Sequence, residues 1–336
     1  MGGGLPLTFA CGPYDRMYPL ANKVVKPVGI DLDFITIDRP REIFDRMIRD
    51  LEFDASEMSS SEFICRYAAG ERDLCAIPVF PSRAFRHSCI VVNSNIISKP
   101  SDLNGKKIGV QVYTMTAAVW VRGILQDAGV DLSTITWVEG DLVKPGSHGN
   151  PKSEPLLRPI DRIPNKSSKS LSQLLEDGEI AATVGADAPP CLGQAPHIQR
   201  LFSNIRESEK EYYQRSGIFP IMHLVVIKSE VVGKYPFVPR SLFNAMNESK
   251  NIALRSMRSL STYRYMLPFM TSDIDEVNDL FGGDPWPYGI ASNRKTLEAL
   301  VNLLYDQAMI SRIIPVEELF FGSYEEIVDI KLLSCM

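Results

Sequence analysis

The chain has 336 residues, 45% apolar and 23% charged, with a formal net charge of −5. That length exceeds one small core and suits two lobes of ordinary domain size, each with material for a packed interior. The acidic balance and the lack of a Lys/Arg block argue against nucleic acid or a membrane surface as partner, so an anionic ligand must be held by a few local arginines.

No apolar run approaches the roughly 18 to 20 residues of a membrane span. The opening Met-Gly-Gly-Gly-Leu-Pro lacks the basic and apolar regions of a secretory signal, and Pro6 breaks the myristoylation pattern after Gly2. A cytoplasmic protein is therefore expected. Six cysteines, Cys11, Cys65, Cys75, Cys89, Cys191 and Cys335, are scattered without CxxC or Cys/His clustering. They read as free thiols.

In chain order, 7–11 reads as a buried strand running into Gly12-Pro13-Tyr14-Asp15-Arg16, a turn that opens a helix, where doubly wound sheets place anionic ligands. Residues 30–37 alternate as a strand, and 40–51 have the spacing of an amphipathic helix with Pro at its start. A third strand over 53–58 leads to Ser59, Ser60, Ser61 and Glu62, read as a helix cap, with the helix over 63–69. Another strand is expected over 76–80.

The apolar run 90–93 leaves the first lobe, and 101–110 reads as a capped turn and a new strand. Residues 113–120 form the helix that follows, with Thr114 or Thr116 at its N-terminus. Strands are expected over 135–138 and 180–184, separated by a Pro, Ser, Lys and Arg-rich surface excursion over 144–170. The apolar segment 218–227 returns the chain to lobe one, and the remainder is helical in pattern, interrupted at 281–289. These two crossings make residues 1–93 with 222–336 one lobe and 94–221 the other, with a cleft between them.

Four segments carry a family resemblance: Arg83-Ala-Phe-Arg-His-Ser88, Tyr113-Thr-Met-Thr-Ala-Ala-Val-Trp120, Gly217-Ile-Phe-Pro-Ile-Met-His223, and Asp284-Pro-Trp-Pro-Tyr-Gly289 with Asn293-Arg-Lys-Thr-Leu-Glu298. Together they span nearly the whole chain, and in this order the sequence resembles the 4,5-dihydroxyphthalate decarboxylase family. The resemblance implies an α/β, two-lobed, type 2 periplasmic-binding-protein-like fold with a mixed sheet in each lobe. It also implies a carboxy-lyase acting without a cofactor on a small hydroxylated aromatic dicarboxylate.

The densest polar cluster is Arg83, Phe85, Arg86 and His87. In an extended segment Arg83, Phe85 and His87 share one face and Arg86 takes the other, so the first three would present to the cleft. Arg83, Arg86 and Arg16 are candidates for bidentate carboxylate pairing. His87 is the first choice as proton donor to the ring carbon and His223 the second, with Asp15 or Glu57 taking the phenolic proton. Tyr14, Ser59, Ser60, Tyr113, Thr114, Thr116, Trp286 and Arg294 complete the candidate substrate site. For each there is a plainer reading, namely helix capping, surface ion pairing or core packing.

The four histidines, His87, His148, His197 and His223, are far apart in sequence and no Gly-rich phosphate loop is present, so no metal or nucleotide cofactor is expected. A non-catalytic aromatic-acid binding protein or sensor, and a biosynthetic enzyme acting on a larger aromatic or polyketide acid, stay open beside the decarboxylase. So does assembly into a homo-oligomer.

Overall fold

The computed structural model describes residues 3–149, 156–259 and 261–322. Five strands form the first sheet: β1 (Leu5–Cys11), β2 (Ile30–Thr36), β3 (Ala55–Ser59), β4 (Leu74–Arg83) and the late strand β11 (Ile221–Lys228). Their spatial order is β2-β1-β3-β11-β4. β1 lies parallel to β2 and β3, while β11 runs antiparallel between β3 and β4. The second sheet contains β5 (Val91–Asn93), β6 (Lys107–Val110), β7 (Thr136–Glu139), β8 (Arg162–Pro164), β9 (Ala182–Val184) and β10 (Ile198–Arg200), in the order β10-β5-β9-β6-β7-β8. Each sheet is mixed because in each one strand belongs to a chain crossing between the lobes.

The expected first lobe boundary at residue 93 is corrected. β5 pairs antiparallel with β9 and β10, so the crossing precedes it. Local backbone geometry is the cause. Arg86 leaves the extended region at φ −122°, ψ 6°, and a 3-10 turn over His87–Cys89 redirects the chain before pairing resumes in the second sheet. The return is complete one residue earlier than expected, at Ile221.

The helices follow their sequence signals with two shifts, the first being the helix expected over 63–69, which starts at Ser60 within the residues read as its cap. Pro40–Asp50 begins with Pro in its first turn and buries Ile43, Phe44, Met47 and Ile48, the apolar stripe its spacing predicts. Ser60–Ala68 follows β3 directly. The helix expected over 113–120 starts later, at Thr116–Asp127, which leaves Tyr113 and Thr114 in the preceding turn. Cys11, Cys75, Cys89 and Cys191 are free thiols. Cys335 lies outside the described residues, as do positions 150–155 of the expected surface excursion.

The lobes are fastened across the cleft by hydrogen bonds between groups removed from water. Ser61 N donates to Thr116 Oγ1 at 3.0 Å, Ser61 Oγ donates to the Thr114 carbonyl at 2.8 Å, and the Ser59 and Thr116 hydroxyls are 3.0 Å apart. The first helical turn of Ser60–Ala68 is thus capped by the opposite lobe and not by Ser59. Further along, Trp120 Nε1 donates to the Ile221 carbonyl at 2.9 Å, and Gln307 Nε2 to that of Val119 at 3.0 Å.

Replacing Thr116 by Val keeps the volume but deprives Ser61 N of its acceptor. It should lower the unfolding free energy by about 1–3 kcal/mol, the cost of a buried unsatisfied donor, read as a denaturant midpoint shift at constant slope. Thr116→Ser should retain most of the stability, and equal midpoints for all three proteins would contradict the cross-lobe cap.

Candidate active site

The C-terminal ends of β1 and β3 and the start of β11 meet at the cleft floor. On β11, His223 lies opposite Ser59 and Val225 opposite Glu57. Glu57 and His223 are therefore diagonal neighbours on one sheet face. Their side chains meet, with Glu57 Oε1 2.5 Å from His223 Nδ1. Glu57 is fully buried. It is also the acceptor for three further groups: the Tyr14 hydroxyl at 2.6 Å, Gly12 N at 2.9 Å and the Cys11 thiol at 3.5 Å. Burial opposes its ionisation. The His223 ring, the Tyr14 hydroxyl and the Gly12 amide outweigh that cost and hold the carboxyl below its ordinary range. The same burial, reinforced by the Glu57 charge, pushes the Tyr14 phenol and Cys11 thiol upward, so both stay protonated donors.

Pairing with Glu57 fixes the ring, with Nδ1 toward the carboxylate and Nε2 away from it. Phe44 meets the ring edge to face at 4.9 Å. His223 lines a cavity of about 950 Å³ between the lobes, near the upper end of the usual small-molecule range. Tyr14, Ser59, Arg86 and Thr116 line it too, as do Gln111, Met115, Asp141 and His148 from the second lobe.

Two arginines on this surface differ in their availability. Arg41 is neutralised by Glu62 and by Asp45. Arg86 donates from Nη1 to the Ala186 carbonyl at 2.7 Å and from Nε to Met222 Sδ at 3.2 Å, and it lies within electrostatic reach of Glu209. Met222 precedes His223 on β11, and Arg86 and His223 both line the cavity.

Of the candidates named from the sequence, Tyr14, Ser59, Arg86, Thr116 and His223 come together here. The face assignment for 83–87 is reversed: Arg86 faces the cleft and its neighbours turn away. Arg83 is buried, donating to the Pro287 carbonyl at 3.1 Å and to Asn293 Oδ1. Phe85 packs on Phe219 at 4.7 Å. His87 lies between the rings of Phe202 and Tyr212, each centred 5.2 Å away. The period-two grouping is kept, with Arg86 opposite the other three, but alternation alone does not say which group meets the cleft.

The remaining candidates are corrected in turn. Asp15 pairs with Arg16 and accepts from the Tyr265 hydroxyl at 3.0 Å, outside the cavity lining. Arg16 is sandwiched between the Tyr14 and Trp286 rings, each centred 4.3 Å from its guanidinium carbon, and Trp286 donates to the Phe80 carbonyl. Ser60 is buried with an unpartnered hydroxyl. Tyr113 stacks under Arg122 at 3.9 Å in the second lobe's core, and Thr114 is committed to the cross-lobe cap. Arg294 forms exposed ion pairs with Glu298 and Glu317. Gln111, Asp141 and His148 went unnoticed because their convergence depends on how 141–149 folds back over the second sheet.

No protein-family model matches the chain. The chain is 36% identical over 319 residues to a 4,5-dihydroxyphthalate decarboxylase of Comamonas testosteroni, covering 94% of this chain and 96% of the relative. The chain belongs to the 4,5-dihydroxyphthalate decarboxylase family. A second member, from Pseudomonas putida, is 38% identical over 215 residues, covering 62% of this chain and 82% of its own length. Among solved structures, the periplasmic aliphatic sulphonate binding protein SsuA of Escherichia coli superposes with a TM-score of 0.54 at 12% identity, covering 95% of this chain and 93% of that one. The alkanesulfonate-binding protein SsuA of Xanthomonas axonopodis pv. citri gives 0.51 at 12% identity, covering 96% and 100%. These likenesses establish the periplasmic-binding-protein-like fold. Among the described residues no helix is long and apolar enough to cross a membrane.

Burial pushes the His87 imidazole down to about 4. The unfolded chain therefore binds its proton more readily, and stability at this residue is complete above about pH 6.5 and lost as pH falls toward 4. His87→Phe should flatten that limb of melting temperature against pH. For Glu57 the sign is the same though the cause is its partners and not burial: its lowered value gives stabilisation that is full above the ordinary carboxyl range and lost as pH falls through the depressed one. Glu57→Gln should remove that more acidic limb. Unchanged profiles in both variants would contradict the assigned environments.

Proposed function

We propose that the protein decarboxylates 4,5-dihydroxyphthalate or a closely similar hydroxylated aromatic dicarboxylate, with His223 as proton donor and Arg86 as carboxylate anchor. The observation that carries the reading is the Glu57–His223 pair at the floor of the interlobe cavity that Arg86 also lines. The two decarboxylase relatives supply the substrate class.

In such a substrate a phenol stands para to each carboxylate. An electron-rich ring of this kind accepts a proton at the carbon bearing the carboxylate. The carbon–carbon bond then breaks, its electron pair returns to the ring, and CO₂ leaves. His223, with Nδ1 held by Glu57, directs Nε2 at the substrate and gives up that proton there. The Glu57 carboxylate supplies the counter-charge while the ring carries both protons, and Tyr14 and Gly12 keep the carboxylate in place. Arg86, beside Met222, pairs with the neighbouring carboxylate that stays, setting the reacting carbon against the imidazole. The cross-lobe hydrogen bonds keep the walls together and limit water around these charges.

The proposal moves the donor from His87 to His223, and the reason is access. His87 lies outside the cavity among aromatic rings, and burial keeps it neutral near pH 7, so it has neither a path to the substrate nor a spare proton.

Incubation of the purified protein with 4,5-dihydroxyphthalate should release CO₂ and one equivalent of the monocarboxylate. Binding without release across a panel of hydroxylated phthalates would establish an aromatic-acid binding protein instead. Turnover confined to bulkier acids would point to a biosynthetic enzyme. His223→Asn, whose side-chain amide takes the place of Nδ1 and can keep the hydrogen bond to Glu57, should lower kcat by at least about 100-fold. Arg86→Lys should mainly raise KM. His87→Phe should leave kcat within about threefold, and the reverse ranking of the two histidines would refute the assignment.

A further inference from the structure

We propose that His148 is a second catalytic residue, the base that takes the phenolic proton from the far side of the substrate ring. The inference rests on the decarboxylase reading above and adds a group that reading leaves unassigned. Ring protonation is easiest when the para hydroxyl loses its proton as the ring carbon gains one. The carboxylates first considered for that task are unsuited to it. Glu57 is spent on four donors at the cavity floor, and Asp15 is outside the cavity, bound to Arg16 and Tyr265.

On the opposite wall, His148 lines the same cavity. Its Nδ1 lies 3.2 Å from Asp141 Oδ2 and 3.2 Å from the side-chain amide nitrogen of Gln111. Asp141 is itself fixed, accepting from Val143 N at 2.9 Å and Lys144 N at 3.1 Å. Those amides and His148 outweigh the opposing effect of burial and hold its carboxyl below its ordinary range. A carboxylate at Nδ1 makes that nitrogen the N–H donor and leaves the lone pair on Nε2, the form a general base needs.

Gln111 fits the same arrangement. It is buried at 6% exposure, lines the cavity, and its amide oxygen has no partner. Exchanging the two ends of the amide gives the Nδ1–H a second acceptor and removes the unsatisfied oxygen. The turn that carries His148 is held against the first lobe. Gly149, at φ +69°, sits so close to the Pro40–Asp50 helix that a Cβ there would stand 2.7 Å from Arg41 Cγ. A carboxylate-backed histidine is thus present on each wall of one cleft, His223 on the first lobe and His148 on the second.

The proton balance closes with these two groups. His223 gives its Nε2 proton to the ring carbon while His148 Nε2 accepts the phenolic proton. The ring–carboxylate bond breaks, CO₂ departs, and the electron pair remains in the ring. His148 then returns its proton to the phenolate oxygen, and His223 recovers one from solvent. The net change is uptake of one proton for each CO₂ released.

The test compares the full-length protein with His148→Gln on 4,5-dihydroxyphthalate and on a ring-chlorinated analogue whose phenol is more acidic and needs less help from a base. On the first substrate kcat should fall about 100-fold, with the Kd for phthalate, a non-reacting probe, within about threefold. On the chlorinated substrate the deficit should shrink at least about tenfold. In His148→Ala, added imidazole should restore part of the rate. A kcat within threefold of the parent, or an equal deficit on both substrates without rescue, would overturn the assignment while leaving the decarboxylase reading intact. A parent protein inactive on both would overturn the two together.

Discussion

A carboxylate with no exposed surface must be paired or it will not stay charged, and the architecture around Glu57 follows from that requirement. Desolvation alone costs a buried ion several kcal/mol, so each surrounding element contributes a donor. β1 ends at Cys11 and Gly12, the turn after it supplies Tyr14, and β11 returns from the second lobe to present His223. β11 therefore closes the first sheet between β3 and β4 and completes the site in the same stroke.

The likeness to sulphonate-binding proteins is one of fold. A bare helix N-terminus suits binding, because its amides attract an anion and have no proton to move. Here the N-terminal amide of Ser61 on the Ser60–Ala68 helix is taken by Thr116 of the other lobe. The cleft floor instead presents the titratable side chains of Glu57, Tyr14 and His223.

Much of this was legible in the sequence, and what was not has physical causes. Strands β1 to β4, the Pro-initiated helix and the return through 218–227 all follow from alternation, caps and apolar runs, because those patterns are local. The four resembling segments pointed to the family, and Arg86, His223 and Tyr14 lie in them or in the opening turn. The facing of 83–87 failed because alternation separates Arg86 from Arg83, Phe85 and His87 without saying which side the other lobe covers. Glu57 was named as a base, and in the structure its carboxylate already meets four groups, His223 among them. That outcome depends on a strand 166 residues distant, beyond any local spacing. His148 was taken as part of a solvated stretch, since a single histidine among Pro, Gly and Ser carries no signal until Asp141 and Gln111 fold against it.

The most direct test of the account is where the ring sits. A crystal structure with phthalate, which has both carboxylates and lacks the phenols needed for reaction, should show one carboxylate paired with Arg86 and a carboxyl-bearing ring carbon facing His223 Nε2. The ring would lie between the Glu57 and Asp141 walls. A ring seated against His87, or carboxylates bound at Arg83 or Arg16 with the cavity above Glu57 empty, would contradict it.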